Sequence, residues 1–184
     1  MPVDLCTKSY YNGKRPISYI RKVKKQMECI AQSETRRYNR IISEIDEVYH
    51  KIAVRIGFSD SAMSILYTLA DHDGRCRLPE LIRLSGINKQ TVNSALRKLE
   101  KDGLICLEPA GGRSKQVRLT EKGLAIADKT VQKVLDAERR IYSSWPREEW
   151  ELYVKLTERY VCELRKEMKE IFYEDPAFGS FQLQ

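Results

Sequence analysis

The feature that most constrains this sequence lies between residues 58 and 123, where the apolar period switches from helical to strand-like in a fixed order. Ser59 is a good N-cap for a helix over 60–71, with Met63, Leu66, Tyr67 and Ala70 facing inward. Asp73-Gly74 predicts a turn, and Arg75-Cys76-Arg77 is long enough only for a very short strand. Pro79 opens a short helix, about 79–84, because its missing N–H costs nothing at a first helical position, and Ser85-Gly86 stops it. Asn88 caps the next helix, 89–102, whose Val92, Ala95, Leu96 and Leu99 form one apolar face before Gly103 ends it. Strands over 104–108 and 116–119 follow, joined by the turn Pro109-Ala110-Gly111-Gly112. Two helices about a tight turn and then a hairpin predict a winged helix-turn-helix.

The helix at 89–102 is a candidate nucleic-acid reader. A DNA major groove admits an α-helix, provided that one face anchors to the protein and the other carries hydrogen-bonding groups. Away from the apolar face stand Lys89, Gln90, Thr91, Asn93, Ser94, Arg97 and Lys98. Gln90 and Asn93 suit paired hydrogen bonds to adenine, Arg97 to guanine, and the hydroxyls of Thr91 and Ser94 suit phosphates or base edges. Asn88 lies at the helix N-terminus, where backbone N–H groups favour phosphate. Arg113, with Ser114 and Lys115, sits at the glycine-flanked hairpin tip and suits the narrower minor groove.

Long amphipathic helices flank this unit. Residues 18–32 carry Ile20, Val23, Met27 and Ile30 on one side and Arg21, Lys22, Lys24 and Lys25 on the other. A separate helix over 35–56 shows Tyr38, Ile41, Ile42, Ile45, Val48, Tyr49 and Ile52, with Gly57 at its end. Thr120 caps a long helix over 121–143, Trp145-Pro146 breaks it, and a last helix runs over 147–172 with Trp150, Tyr153, Val161, Leu164, Met168 and Ile171 in period. The fold class is therefore mainly α with a small β-wing. Its parts are a basic arm and extra amphipathic helix (1–34), a first dimerisation helix (35–57), the winged unit (58–120) and C-terminal dimerisation helices (121–184). A single winged domain buries little of so long a last helix, so a homodimer is expected.

Charge agrees with a polyanion partner. The formal net charge is +7; residues 1–40 hold ten Lys/Arg against three Asp/Glu, and residues 86–119 hold seven against three. The five cysteines are scattered without a Cys-x-x-Cys pair, and neither His50 nor His72 has a ligand at metal-binding spacing. No metal, no cofactor and no catalytic residue is expected. His50 reads as structural, and Cys29 as a small buried side chain rather than an oxidant sensor. No run reaches the roughly 20 apolar residues of a membrane span, and no apolar leader opens the chain, so a cytoplasmic, non-membrane protein is expected.

The stretch 58–123 resembles the winged helix-turn-helix of the MarR family of bacterial transcriptional regulators. The residues that carry the resemblance are Leu81, Ile87-Asn88-Lys89-Gln90-Thr91-Val92, Leu99-Glu100-Lys101-Asp102-Gly103-Leu104-Ile105, Gly112-Arg113-Ser114-Lys115 and Leu119-Thr120-Glu121-Lys122-Gly123. The resemblance implies a homodimer on a pseudo-palindromic operator in double-stranded DNA, residues 88–97 as the recognition helix and Arg113 as the wing arginine. It also implies a small aromatic effector, for which Tyr38, Tyr49 and Tyr67 are the candidates. The wing departs from the family pattern, lacking the aspartate and second arginine common there. The expected function is a sequence-specific DNA-binding regulator; the alternatives are a winged-helix protein-interaction module or a nucleic-acid-binding protein without operator specificity.

Overall fold

A computed structural model describes residues 17–111 and 114–174. The chain divides into one unit ending at Asp60 and another beginning at Ser61. The first is built on helix α1, Ile17–Arg55, which is continuous over 39 residues. The two helices expected from sequence are thus one. The second was expected to begin at Thr35, but the Thr35 hydroxyl donates to the Ala31 carbonyl at 2.8 Å, one turn back. A side chain that bonds i−4 inside a helix no longer competes with its backbone. Ser43 does the same with Asn39 at 3.0 Å. Past α1, the Phe58 N–H returns to the Ala53 carbonyl at 2.9 Å across Gly57. His50 is exposed, and its Nδ1 stands 3.0 Å from both carboxylate oxygens of Asp60. Cys29 is exposed rather than buried, as is Ile30 on the apolar side of α1.

The second unit holds all of α2 (Asp60–Asp71) but its first residue, and continues through β1 (Arg75–Arg77), α3 (Leu78–Ser85) and α4 (Lys89–Lys101). Strands β2 (Ile105–Pro109) and β3 (Lys115–Leu119) form the hairpin, and α5 (Glu121–Lys129), α6 (Val131–Ser143) and α7 (Arg147–Lys169) complete the chain. A π-helical turn, Glu170–Glu174, follows α7. The sheet is antiparallel in the order β1-β3-β2, with Arg75 opposite Arg118 and Cys106 on that strand's other side. Alternation puts Cys76, Val117 and Leu119 into the core and Arg75, Arg77 and Arg118 outside.

The core is assembled from Ile65, Leu66 and Leu69 of α2, Leu81 of α3, Val92, Leu96 and Leu99 of α4, Val117 and Leu119 of β3, and Val131 and Leu135 of α6. Each such side chain contributes about 1.5–3 kcal/mol when fully buried. Helix α2 is buried more widely than its sequence period suggested, since Ala62, Ile65 and Leu69 join Met63 and Leu66, while Tyr67 is only half-buried.

The long helix expected over 121–143 is two helices. Thr130, at φ −127° and ψ −90°, separates α5 from α6. Its hydroxyl donates to the Ile126 carbonyl at 2.7 Å, and its backbone N–H turns to Ala127 at 3.1 Å. The backbone angles of Thr130 break the helix with no Gly or Pro to announce it. Helix α7 has no buried residue in this chain: Leu152 is 55% exposed and Leu156 44%. Among the described residues no helix is long and apolar enough to cross a membrane, and no group of three metal-capable side chains occurs.

Candidate nucleic-acid interface

The helix-turn-helix is fixed at its turn. Gly86 takes φ +66° as the left-handed cap of α3, a conformation that costs other residues about 1 kcal/mol or more. Ser64 of α2 donates its hydroxyl to the Ser85 carbonyl at 3.3 Å, tying the end of α3 to the core helix. Asn88 then caps α4: its side-chain oxygen accepts from the Thr91 N–H at 2.9 Å. That oxygen is committed to the helix, so of the eleven residues expected to face DNA, Asn88 acts first as a cap.

On α4, burial of Val92, Ala95, Leu96 and Leu99 leaves the opposite side outward. Lys89, Gln90, Asn93, Ser94 and Arg97 line one open, shallow cleft there. Gln90, Ser94, Arg97 and Lys98 are exposed, while Thr91 and Asn93 are half-buried at the rim. The Ser94 hydroxyl donates to the Gln90 carbonyl at 3.1 Å, which leaves its oxygen to accept. Among the described residues, Lys89, Arg97, Lys98 and Lys115 form no ion pair. Their charge is therefore open to an external anion. Sequence placed these side chains by helical period alone, and the structure brings them to one surface.

The hairpin closes where expected: the Ala110 N–H donates to the Ser114 carbonyl at 2.9 Å, and the Ser114 N–H to that of Gly111 at 3.2 Å. Ser114 is half-buried and Lys115 exposed. Arg113, the expected wing arginine, lies with Gly112 outside the described residues.

A corner at the base of the hairpin was not foreseen. Thr120 donates its hydroxyl to the Gly103 carbonyl at 2.6 Å and accepts the Gly123 N–H at 3.0 Å, while its own N–H donates to the Leu104 carbonyl at 3.0 Å. Lys122 Nζ donates to the Asp102 carbonyl at 2.7 Å. A Cβ on Gly123 would stand 1.9 Å from the Leu104 oxygen. The run Thr120-Glu121-Lys122-Gly123 therefore welds the first turn of α5 to the end of α4. A cap residue followed three positions later by glycine was the available signal; the tertiary partner was not.

The three tyrosines do not form one group within either unit. Tyr38 and Tyr49 share α1, eleven residues and so roughly 16 Å apart along its axis. Tyr49 joins Ile41, Glu44, Ile45 and Val48 around a shallow cleft on that helix. Tyr67 belongs to the second unit, where its hydroxyl donates to the Glu138 carboxylate of α6.

Residues 56–114 match the MarR family model. No curated protein matches the sequence. Among solved structures, the chain is similar to AbsC, a MarR family transcriptional regulator from Streptomyces coelicolor, at 20% identity and a TM-score of 0.60 over 73% of this chain and 94% of that one. It is similar to the transcription regulator MarR from Oenococcus oeni PSU-1 at 17% identity and a TM-score of 0.58, over 69% and 97% of the two chains. A third is Bordetella bronchiseptica BpsR, whose DNA binding is regulated by 6-hydroxynicotinic acid, at 18% identity and a TM-score of 0.50 over 68% and 98%. With the turn, helix α4 and hairpin in this order, residues 56–114 form a winged helix-turn-helix that matches the MarR family model, and the chain is similar in fold to solved regulators of that family.

Proposed function

We propose that this chain is a sequence-specific DNA-binding transcriptional regulator that acts as a homodimer on a two-fold symmetric operator. The observation that carries the reading is the division of α4, with Val92, Leu96 and Leu99 locked in the core and Gln90, Asn93, Ser94 and Arg97 on an open cationic surface. Base edges in the major groove are read by such side chains, and phosphate contacts from Lys and Arg supply most of the affinity. Lys89 and Lys98 on α4, with Ser114, Lys115 and Arg113 on the wing, are assigned to the backbone and minor groove.

The dimer is supported by the apolar surface of α7, where Leu152, Tyr153, Leu156, Tyr160 and Leu164 are all exposed in one chain. On α1, Ile41, Ile45 and Val48 are exposed likewise. Patches of this extent on a folded chain mark association surfaces. Two subunits would place two recognition helices about one DNA turn apart. A small aromatic effector is part of the reading by analogy with BpsR, and Tyr38, Tyr49 and Tyr67 remain its candidate contacts. Such a ligand would act by favouring one spacing of the recognition helices over another.

Selection of bound duplexes from a random DNA pool tests the proposal. The expected result is a two-fold symmetric consensus whose binding weakens steeply with salt. A pool that never enriches, or enriches an asymmetric site bound by one chain, overturns it.

A further inference from the structure

The wing carries a side-chain pair on its outer face that is neither among the residues assigned to DNA nor among those that carry the resemblance. Glu108 is on β2 and Arg118 on β3; the register sets Glu108 opposite Gln116 and Cys106 opposite Arg118. The two are therefore diagonal neighbours on one face of the hairpin, a spacing that long side chains bridge. Arg118 Nε and Nη2 donate to the same Glu108 oxygen, Oε1, at 2.8 and 2.6 Å, and Nη1 donates to the Leu119 carbonyl at 3.3 Å. The Cys106 thiol donates to Glu108 Oε1 at 3.6 Å. The guanidinium is thus held at both ends, by the opposite strand and by its own.

Two further observations give the pair a task. Arg75 on β1 stands directly opposite Arg118, and like charges facing across a strand pair repel; Glu108, on the other side of β3, pairs with the Arg118 guanidinium away from Arg75. The hairpin tip itself, 109–115, contains no carboxylate. The acid nearest the tip is Glu108, the residue just before it. The hydrogen bonds from Arg118, and its charge after them, hold the Glu108 carboxyl below its ordinary range.

We infer that Glu108 and Arg118 are positioning residues of the wing, a cross-strand clamp that holds β2 and β3 in one twist so that the hairpin meets DNA in a single orientation. The inference deepens the proposed function and rests on it for its DNA-binding consequence. The clamp itself is a property of the free protein.

Two substitutions that change charge in opposite directions test it, Glu108→Gln and Arg118→Gln, with the exchanged pair E108R/R118E as the rescue. The probes are the duplex selected above and a random-sequence duplex of equal length. A clamp predicts that both single variants lose hydroxyl-radical protection beside the recognition-helix contacts. Both should lower the ratio of selected to random affinity by about two- to fivefold, the range of an exposed ion pair. The exchanged pair should regain both. Amide exchange of β2 and β3 in DNA-free protein should quicken in each single variant. If Glu108→Gln strengthens and Arg118→Gln weakens binding to both duplexes with wing protection intact, the residues act only as charges and the inference is overturned. Unchanged strand exchange in both variants overturns it as well, without any DNA. A wild-type chain that prefers no duplex overturns the DNA reading instead, and amide exchange still decides the clamp.

Discussion

Gly123→Ala is the sharpest test of how the winged unit is held together. The added Cβ would lie 1.9 Å from the Leu104 carbonyl oxygen and 2.9 Å from its carbon. Ordinary contact is about 3.4 Å, so backbone on one side must retreat by roughly 1.5 Å in an interior packed as densely as an organic crystal. The Leu104 carbonyl cannot retreat freely, because it accepts the Thr120 N–H at 3.0 Å. Forced overpacking costs about 1–3 kcal/mol, and a lost backbone hydrogen bond about 1 kcal/mol more. Alanine returns up to about 1 kcal/mol through helix propensity. The net expectation is a destabilisation of about 2–3 kcal/mol. For a unit of this size that lowers the melting temperature by about 8–15 °C. Gly86→Ala is the control, with a left-handed φ of +66° but no atom within 4 Å of its new Cβ; it should cost about 1 kcal/mol. Circular dichroism melts read both, and urea midpoints with unchanged slope confirm that stability moved. If Gly123→Ala melts within about 2 °C of wild type, or no lower than Gly86→Ala, the corner does not bind α5 to the end of α4.

Three other expectations follow from the same geometry. Asn88→Ala removes the cap on Thr91 and should destabilise by about 1 kcal/mol, whereas Asn88→Asp keeps an acceptor and should not; urea denaturation separates them. Arg97→Ala should flatten discrimination among selected sites, while Arg113→Ala should weaken all DNA alike; competition mobility shifts with matched and mismatched duplexes check this, and identical behaviour of the two variants would sink the division of labour. The carboxyl of Glu108 is lowered by hydrogen bonds and charge from Arg118. Its folded-state pKa lies below its unfolded one, so its stabilising contribution is present at neutral pH and lost as pH falls through and beneath the usual carboxylate range. An NMR titration placing Glu108 at the ordinary glutamate value would refute it.

The recognition surface was legible because one helix had to satisfy two demands at once. Val92, Ala95, Leu96 and Leu99 fix which way α4 faces, and everything polar on its other side then follows from a period of 3.6. Hairpin and turns were legible from Gly86, Asn88, Gly103 and Gly111 for the same local reason. What stayed hidden depends on partners distant in sequence or on side chains that bond backward. Thr35 and Thr130 make the same i−4 bond, yet one lies in an unbroken helix and the other at a break; no local pattern separates the two outcomes. The Glu108–Arg118 pair needs the strand register, which a sequence without a known pairing does not supply. Gly123 was named in the sequence as part of a motif, but nothing local showed that its hydrogen atom stands where any larger group would strike Leu104.

Helix α7 has a consequence for how this protein meets dilution. None of its 23 residues is fully buried in its own chain. Under the proposed pairing, its apolar surface is covered only while a second copy is bound, so folding and association merge into one equilibrium and thermal resistance rises with concentration. Mixed assemblies follow from the same fact. A chain damaged in α4 but intact along α7 would still capture a healthy subunit, and a single defective copy would silence two.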